Sequence, residues 1–128
     1  MLTRDQIFAA VDMKREKVDT REWGGHVFVR TMSGTERDAF EREMLAAKEA
    51  GGNDLANIRA RLAVRTVCDD KGKRVFTDAD AEQLGRKSAL VLDRIFETAQ
   101  RLNGIGKKDV EELAGNSDGT PPAGSTSA

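Results

Sequence analysis

The sequence predicts a mainly helical α+β fold, in which one small helical domain carries an N-terminal β-hairpin and a long C-terminal amphipathic helix. Three observations predict this fold class. Helix-start signals at Thr3 and Ser33 precede apolar residues at helical spacing. Residues around Gly24 and Gly25 alternate with a period of two, as in a hairpin. An apolar stripe of helical period then runs from about residue 77 to residue 104.

The composition excludes several classes of protein. The chain has 128 residues, 38% hydrophobic and 34% charged, with a net charge of -1. No run of apolar residues is long enough for a transmembrane helix, so we expect no membrane partner. The 21 basic and 22 acidic residues balance, which argues against a charged surface for nucleic acid or membranes over the whole domain. Cys68 is the single cysteine and cannot form an internal disulfide, so we expect a reducing cytoplasm.

The first part of the chain predicts a short helix and then a hairpin. A capping box at Thr3 begins the helix, which extends to about Val11. Residues 14–32 are rich in β-branched side chains and predict two strands that turn at Gly24 and Gly25. In the second strand, one face is expected to carry Val27 and Val29 and the other Phe28 and Arg30.

Two helices are predicted in the middle of the chain. Ser33 begins the first with a capping box, and Gly51 and Gly52 end it. Asn53 caps the second, which ends at a turn near Cys68. Apolar residues lie on more than one side of the second helix, so we expect several neighbours to cover it. The apolar positions are Phe40, Met44 and Ala47 in the first helix and Leu55, Ala56, Ile58, Ala60, Leu62, Ala63 and Val67 in the second.

The next segment predicts one long helix from Thr77 to Asn103, with Gly104 as its stop. Because the residues on both sides of Lys87 keep the same helical phase, we favour a continuous helix of about 26 residues, roughly 39 Å long, over two helices separated at Gly85. The stripe falls within an arc of about 140°. It consists of Ala81, Leu84, Gly85, Ser88, Val91, Leu92, Ile95, Phe96, Ala99 and Leu102.

Residues 1–114 are expected to form one domain, and residues 115–128 a flexible, disordered tail. The tail reads GNSDGTPPAGSTSA and contains no Leu, Ile, Val or Phe, so burial cannot offset the entropy lost when it becomes ordered. Residues 105–113 are expected to add a short terminal turn.

The residues predict no catalytic, cofactor or metal site, and therefore a protein that is not an enzyme. A nucleophile and base could only be Cys68 and His26, and neither lies in a catalytic motif. A calcium loop aligned on Gly72 would place Val67 at the first ligand position. The glycines near Gly104 fit neither the dinucleotide nor the phosphate-loop pattern.

Nucleic acid is an alternative partner to consider, because the chain contains a group of basic residues. Aspartates interrupt this group and no set of aromatic residues accompanies it, so we expect no nucleic-acid binding. The group consists of Arg59, Arg61, Arg65, Lys71, Lys73 and Arg74.

Apolar side chains supply the candidates for binding a protein partner. The long stripe either packs wholly on the protein's own helices or receives a partner's helix along part of its length. The aromatic residues near the glycine turn form either a small core under the hairpin or an exposed anchor. The candidate partner-binding residues are Trp23, Phe28, Leu84, Val91, Leu92, Ile95, Phe96 and Leu102.

Three segments, in order, carry a resemblance to a known family. Residues 22–41 read EWGGHVFVRTMSGTERDAFE, residues 69–80 read DDKGKRVFTDAD, and residues 101–104 read RLNG. These segments resemble the tail assembly chaperones of long-tailed phages and prophages, and the likeness covers roughly residues 1–114. The residues from Gly115 onward lie outside it.

The resemblance implies a non-enzymatic chaperone in the cytoplasm of a bacterial host. Such proteins bind the long, helical, apolar tape measure protein until tube subunits polymerise around it, and they are absent from the mature virion. In many phages a frameshifted longer form also contacts the tail tube protein, and self-association of the chaperone is plausible. Two alternatives remain open: a small nucleic-acid-binding phage regulator and a minor structural protein of the tail or its connector.

Overall fold

The computed structural model describes residues 1–50 and 57–106. Within these residues the helices and the small antiparallel sheet confirm the predicted fold class. The elements are α1 (Arg4–Ala9), β1 (Arg15–Thr20), β2 (Gly25–Arg30), α2 (Gly34–Glu49), α3 (Ile58–Thr66), β3 (Val67–Cys68), α4 (Ala81–Leu84) and α5 (Ala89–Leu102).

The helix α1 begins at the predicted capping box. The Thr3 Oγ1 atom accepts a hydrogen bond from the backbone N–H of Gln6 at 3.2 Å, and the Gln6 side chain accepts one from the backbone N–H of Thr3 at 2.9 Å. The helix ends at Ala9, short of the predicted Val11, because Ala10 has an extended backbone (φ -69°, ψ 138°). No residue of α1 is buried.

The predicted hairpin is confirmed. Strands β1 and β2 pair antiparallel along their whole length. A 3-10 turn at Arg21–Trp23 joins them and ends at Gly24, whose φ of 91° lies in the left-handed region that favours glycine. The face toward the core carries Val18, Thr20, Val27 and Val29, and the opposite face carries Phe28 and Arg30, as expected.

A third strand lies where the pattern predicts the end of a helix. Helix α3 ends at Thr66, and Val67 adopts an extended backbone (φ -70°, ψ 128°) opposite Val29. The sheet therefore has the order β1-β2-β3 with antiparallel pairs throughout. A strand of two residues is too short to show an alternating pattern. Val67 also continues the apolar spacing of α3, so the sequence pattern does not indicate a strand there.

The two middle helices largely follow the prediction. The Ser33 capping box is formed, and α2 buries Phe40 and Met44. Helix α3 is covered on several sides, as expected: it packs against α2, α4, α5 and β2, and residues 62–66 are all buried. The predicted stop at Gly51 and Gly52, the cap at Asn53 and the apolar positions Leu55 and Ala56 lie outside the described residues, as do the terminal turn from residue 107 on and the tail at 115–128.

The single long helix predicted from Thr77 to Asn103 is wrong. A 3-10 turn at Asp78–Asp80 leads into the short α4, and α5 starts only at Ala89. The residue before α5, Ser88, has an extended backbone (φ -54°, ψ 129°), which no α-helix contains. The chain therefore forms the two helices that the continuous pattern had argued against.

The apolar residues keep the same helical phase on both sides of the break because both helices face the same core. Leu84 of α4 and Val91, Ile95 and Ala99 of α5 all belong to one cluster of buried residues. Gly85 lies at the break. A side chain there would clash, because a Cβ atom would lie only 2.4 Å from the Asn57 Oδ1 atom. The close approach of Asn57 brings the start of α3 next to the end of α4.

Candidate partner-binding surface

The eight predicted partner-binding residues lie in three different environments. Four are buried in the core: Leu84, Val91, Leu92 and Ile95. Three are partly buried and pack against that core: Trp23, Phe96 and Leu102. The eighth, Phe28, lies on the other face of the sheet, where its ring meets His26 edge to face with 5.5 Å between the ring centroids.

The buried residues of α5 cannot form a surface in the folded chain as described. Val91 and Ile95 have 0% exposed surface, and Leu92 has 3%. A partner could contact these side chains only if the core opened, so their role in binding remains a prediction. A charged substitution at any of them would be expected to disrupt folding, because an unpaired charge in an apolar core is very costly.

Two of the predicted residues, Trp23 and Leu84, meet in one groove. Trp23 ends the turn of the hairpin, and Leu84 ends α4. Together with Phe76, they give the groove apolar walls, and its volume is about 400 Å³. Its polar lining consists of Asp80, Gln83 and Lys87.

Local structure positions each wall of the groove. Thr77 begins the 3-10 turn before α4 with a capping box, since its backbone N–H donates to the Asp80 carboxylate at 2.8 Å. This cap fixes Asp80 at the rim and Phe76 immediately before it. The Glu22 carboxylate pairs with the Arg94 guanidinium at 2.9 Å and ties the hairpin turn beside Trp23 to α5.

The pair between Glu22 and Arg94 perturbs both charges. The hydrogen bonds from Arg94 lower the pKa of Glu22 from 4.5 to about 2, and the same contact raises the pKa of Arg94. A second tie between the same elements joins Glu16 of β1 to Arg101 of α5, and its hydrogen bond lowers the pKa of Glu16. Two ion pairs, Glu22 with Arg94 and Glu16 with Arg101, thus hold the hairpin against α5.

The basic residues considered for nucleic acid are mostly engaged with carboxylates. Arg59 pairs with Asp93 at 2.8 Å, and Arg61 pairs with Glu43 at 2.9 Å. Arg65 is nearly buried between two carboxylates, at 3.0 Å and 3.2 Å. These pairs cross-link α3 to its neighbours, which explains the three arginines of α3 without a phosphate partner.

The thiol of Cys68 is buried, and burial raises its pKa. A raised pKa disfavours the thiolate, which is the nucleophilic form. In residues 1–50 and 57–106, His, Cys, Asp and Glu form no group of three or more that could hold a metal ion. No helix in the same part of the chain is long and apolar enough to cross a membrane.

Sequence reasoning overlooked two parts of this surface. Phe76 stands alone in the sequence, and only its place directly before the capping box at Thr77 could have marked it as the wall of a site. The second part is the set of apolar side chains in the N-terminal segment, to which the sequence analysis gave no role and which lie exposed in and around α1 in the described chain.

Comparisons with known proteins agree with the fold. A family model described as phage tail assembly chaperone matches residues 4–116. A solved structure of the bacteriophage HK97 tail assembly chaperone is 22% identical, with a TM-score of 0.55. The match covers 77% of this chain and 90% of that one. No curated protein matches the chain. At this level of identity, the structural likeness shows a shared fold.

Proposed function

Because the chain belongs to the phage tail assembly chaperone family, we propose that it binds the tape measure protein and keeps that long helical protein soluble while the tail assembles. The family match supports a chaperone role in tail assembly. The identity of the client and the surface that binds it are our proposal.

The observation that carries this proposal is the apolar groove between the hairpin turn and α4. Trp23, Phe76 and Leu84 form its walls, and polar side chains ring them. Grooves of this kind receive the apolar face of an amphipathic helix, which inserts one or two large side chains into the cavity. Trp is also one of the residue types that are enriched at the energetic centre of protein interfaces.

The proposal has consequences for the rest of the protein's life cycle. We propose that the chaperone acts without catalysis in the cytoplasm of the bacterial host and is left behind when the virion is complete. A frameshifted longer form would bring the tail tube protein to the same client. The buried Cys68 and the paired arginines of α3 support a role in protein binding over catalysis or nucleic-acid binding.

Co-expression with the tape measure protein tests the proposal. The full chain is expected to keep the tape measure protein in the soluble fraction and to co-purify with it. Gln83→Arg places a long cation across the groove at an exposed position, so it should abolish co-purification without loss of fold. The matched control is Ala46→Arg, the same change of charge at an exposed position of α2.

Three results would overturn the proposal or its assignment to the groove. In the first, the tape measure protein stays equally insoluble with and without the chain. In the second, mass spectrometry finds the chain in stoichiometric amounts in purified particles, which would indicate a structural tail protein. If both variants bind as the wild type does, the groove is not the site.

A further inference from the structure

The N-terminal arm, defined as residues 1–13, presents apolar side chains that the rest of the described chain leaves uncovered. Ile7 is 54% exposed and Phe8 is 73% exposed, and both belong to α1. The helix has six residues, and isolated helices of fewer than about 12 residues are marginal in water. Since most helical stability in proteins comes from packing of an apolar face, these side chains indicate that a further segment completes α1.

The described chain ends beside the base of this arm. The backbone N–H of Thr31 donates to the Lys14 carbonyl at 2.9 Å. The backbone N–H of the next residue, Met32, donates to the Asn103 Oδ1 atom at 2.7 Å. Lys14 and Asn103 are thus bound to neighbouring residues, and their Cα atoms lie no more than about 17 Å apart. Ile105 is buried, so the chain is still anchored to the fold just before residue 107.

The residues that follow carry apolar side chains that suit the arm. The C-terminal segment, defined as residues 107–114, reads KKDVEELA. Its apolar pair, Val110 and Leu113, has the spacing of neighbours on one helix face. Val110 follows Asn103 by seven positions and can extend up to about 24 Å from it, which is enough to reach the arm. The family match, over residues 4–116, includes both α1 and this segment.

The charges at the base of the arm complement those of the segment. Lys14, Arg15 and Lys17 are exposed, and none of them forms an ion pair within the described residues. Arg15 also lies directly opposite Arg30 in the sheet, and like charges in that arrangement are unfavourable. An acidic segment placed here would relieve this repulsion. The acids of the segment are Asp109, Glu111 and Glu112.

We propose that the C-terminal segment packs on the N-terminal arm of the same chain. Its apolar pair, Val110 and Leu113, lies against Ile7 and Phe8 of α1, and its carboxylates lie beside the basic residues at the base of the arm. The contact supplies the packing that α1 lacks. It lies at the opposite end of the hairpin from the groove beside Trp23, so it is independent of client binding there. Any partner of the arm must first displace the segment.

Hydrogen exchange in the full chain tests this contact. Val110→Ser with Leu113→Ser should speed exchange of the Ile7 and Phe8 amides by about tenfold or more, because α1 loses its apolar cover. The amides of α3 should exchange as in the wild type, which shows an intact core. The matched control is Leu90→Ser, at 73% exposure equal to that of Phe8, and it should leave the α1 amides unchanged. Equal exchange of the α1 amides in the wild type and the double serine variant would overturn the proposal.

A second variant separates the charges from the apolar pair. Glu111→Lys with Glu112→Lys keeps Val110 and Leu113 and should speed exchange of the α1 amides by about threefold at low salt. Salt at about 1 M should remove this difference, since it screens exposed charges. A difference that persists at high salt would contradict the charge contacts.

A disulfide within one chain locates the contact. Phe8→Cys with Val110→Cys should form an intrachain disulfide under mild oxidation, while Leu90→Cys with Val110→Cys should not. The native Cys68 is buried and stays out of the reaction. Oxidation of a mixture of ¹⁵N-labelled and unlabelled chains distinguishes the occupants by mass spectrometry, because an intrachain link joins only peptides of the same label. Linked peptides of mixed label would assign the arm to a second copy, and they or equal linkage of the two variants would overturn the proposal.

Discussion

The Asn103 Oδ1 atom accepts a hydrogen bond from the backbone N–H of Met32 over 2.7 Å, across 71 positions of sequence. The Nδ2 group of the same side chain donates to the Ala99 carbonyl at 2.9 Å and to the Arg30 carbonyl at 3.3 Å. The Asn103 carbonyl accepts a hydrogen bond from Arg37 at 2.8 Å. One residue thus fastens the end of α5 to β2, to the link after β2 and to α2.

The first prediction concerns the loss of the Asn103 hydrogen bonds. Asn103→Ala leaves the Met32 N–H without its partner in a partly buried place, so the free energy of unfolding should fall by about 2 kcal/mol. Urea unfolding followed by circular dichroism measures the change. Glu97→Ala, at an exposed position of α5, should change the free energy of unfolding by less than about 0.5 kcal/mol, as expected for a surface substitution. Equal losses from the two changes would contradict the assigned role of Asn103.

The second prediction concerns the break between α4 and α5. Gly85→Ala should destabilise the fold by about 1 kcal/mol, because the new Cβ must displace the Asn57 side chain. Asn57→Gly removes that side chain and also suits its left-handed backbone, with φ of 66°. In a double-mutant cycle, Gly85→Ala should cost little in the Asn57→Gly background. An unchanged cost would show that Asn57 is not the obstacle.

The third prediction is a dependence on pH. The pKa of Glu22 is about 2 in the folded chain against an ordinary value of 4.5, because Arg94 donates hydrogen bonds to its carboxylate. A lowered folded-state pKa means that the ion pair contributes stability above pH 4.5 and loses it as the pH falls toward 2.

A carboxyl NMR titration should place the Glu22 midpoint near 2 in the wild type and clearly higher, in the direction of 4.5, in Arg94→Gln, which keeps the smaller lowering effects of the Glu22 backbone hydrogen bond and of Arg21. Salt at about 1 M should move the wild-type midpoint upward, since this pair is exposed and therefore screened. A midpoint that is the same in both proteins would contradict the pairing.

The fourth prediction concerns Arg65, which lies between the carboxylates of Glu43 and Asp78. Arg65→Ala should lower the free energy of unfolding by about 2 kcal/mol, because it removes a nearly buried side chain that packs in the fold and bridges the two carboxylates. Glu43 and Asp78 keep their pairs with Arg61 and Arg74, so neither carboxylate is left without a cation. Arg86→Ala, which removes an exposed pair to Glu82, should change stability by less than about 0.5 kcal/mol. Equal losses of unfolding free energy from the two alanine substitutions, measured by thermal or urea unfolding, would show that the burial of Arg65 does not increase its contribution to stability.

Local signals predicted most of this fold because they depend on neighbouring residues. The capping boxes at Thr3 and Ser33 and the glycine turn after Trp23 each fix the backbone within a few positions, and all three are formed. The break at Ser88 could not be predicted in this way, since two helices that face one core keep the same apolar phase. The strand at Val67 forms only by pairing with Val29, which is distant in the sequence.

The candidate site was predicted only in part for the same reason. Periodicity identifies which face of a helix is apolar, but not whether the protein itself covers that face. Ile95 and Leu84 belong to one stripe, yet Ile95 is enclosed and Leu84 reaches the wall of a groove because α4 ends there. Phe76 joins that groove from a loop, where no periodic pattern marks it.

The central claim, that the groove beside Trp23 binds the tape measure protein, can be tested most directly by tryptophan fluorescence. Trp23 is the only tryptophan in the chain and lines the groove, so its emission reports on that surface alone. Titration with a tryptophan-free, amphipathic helical segment of the tape measure protein should shift the emission to shorter wavelength and saturate, and Gln83→Arg should abolish the shift. Binding detected by calorimetry without any change in Trp23 emission would contradict the claim.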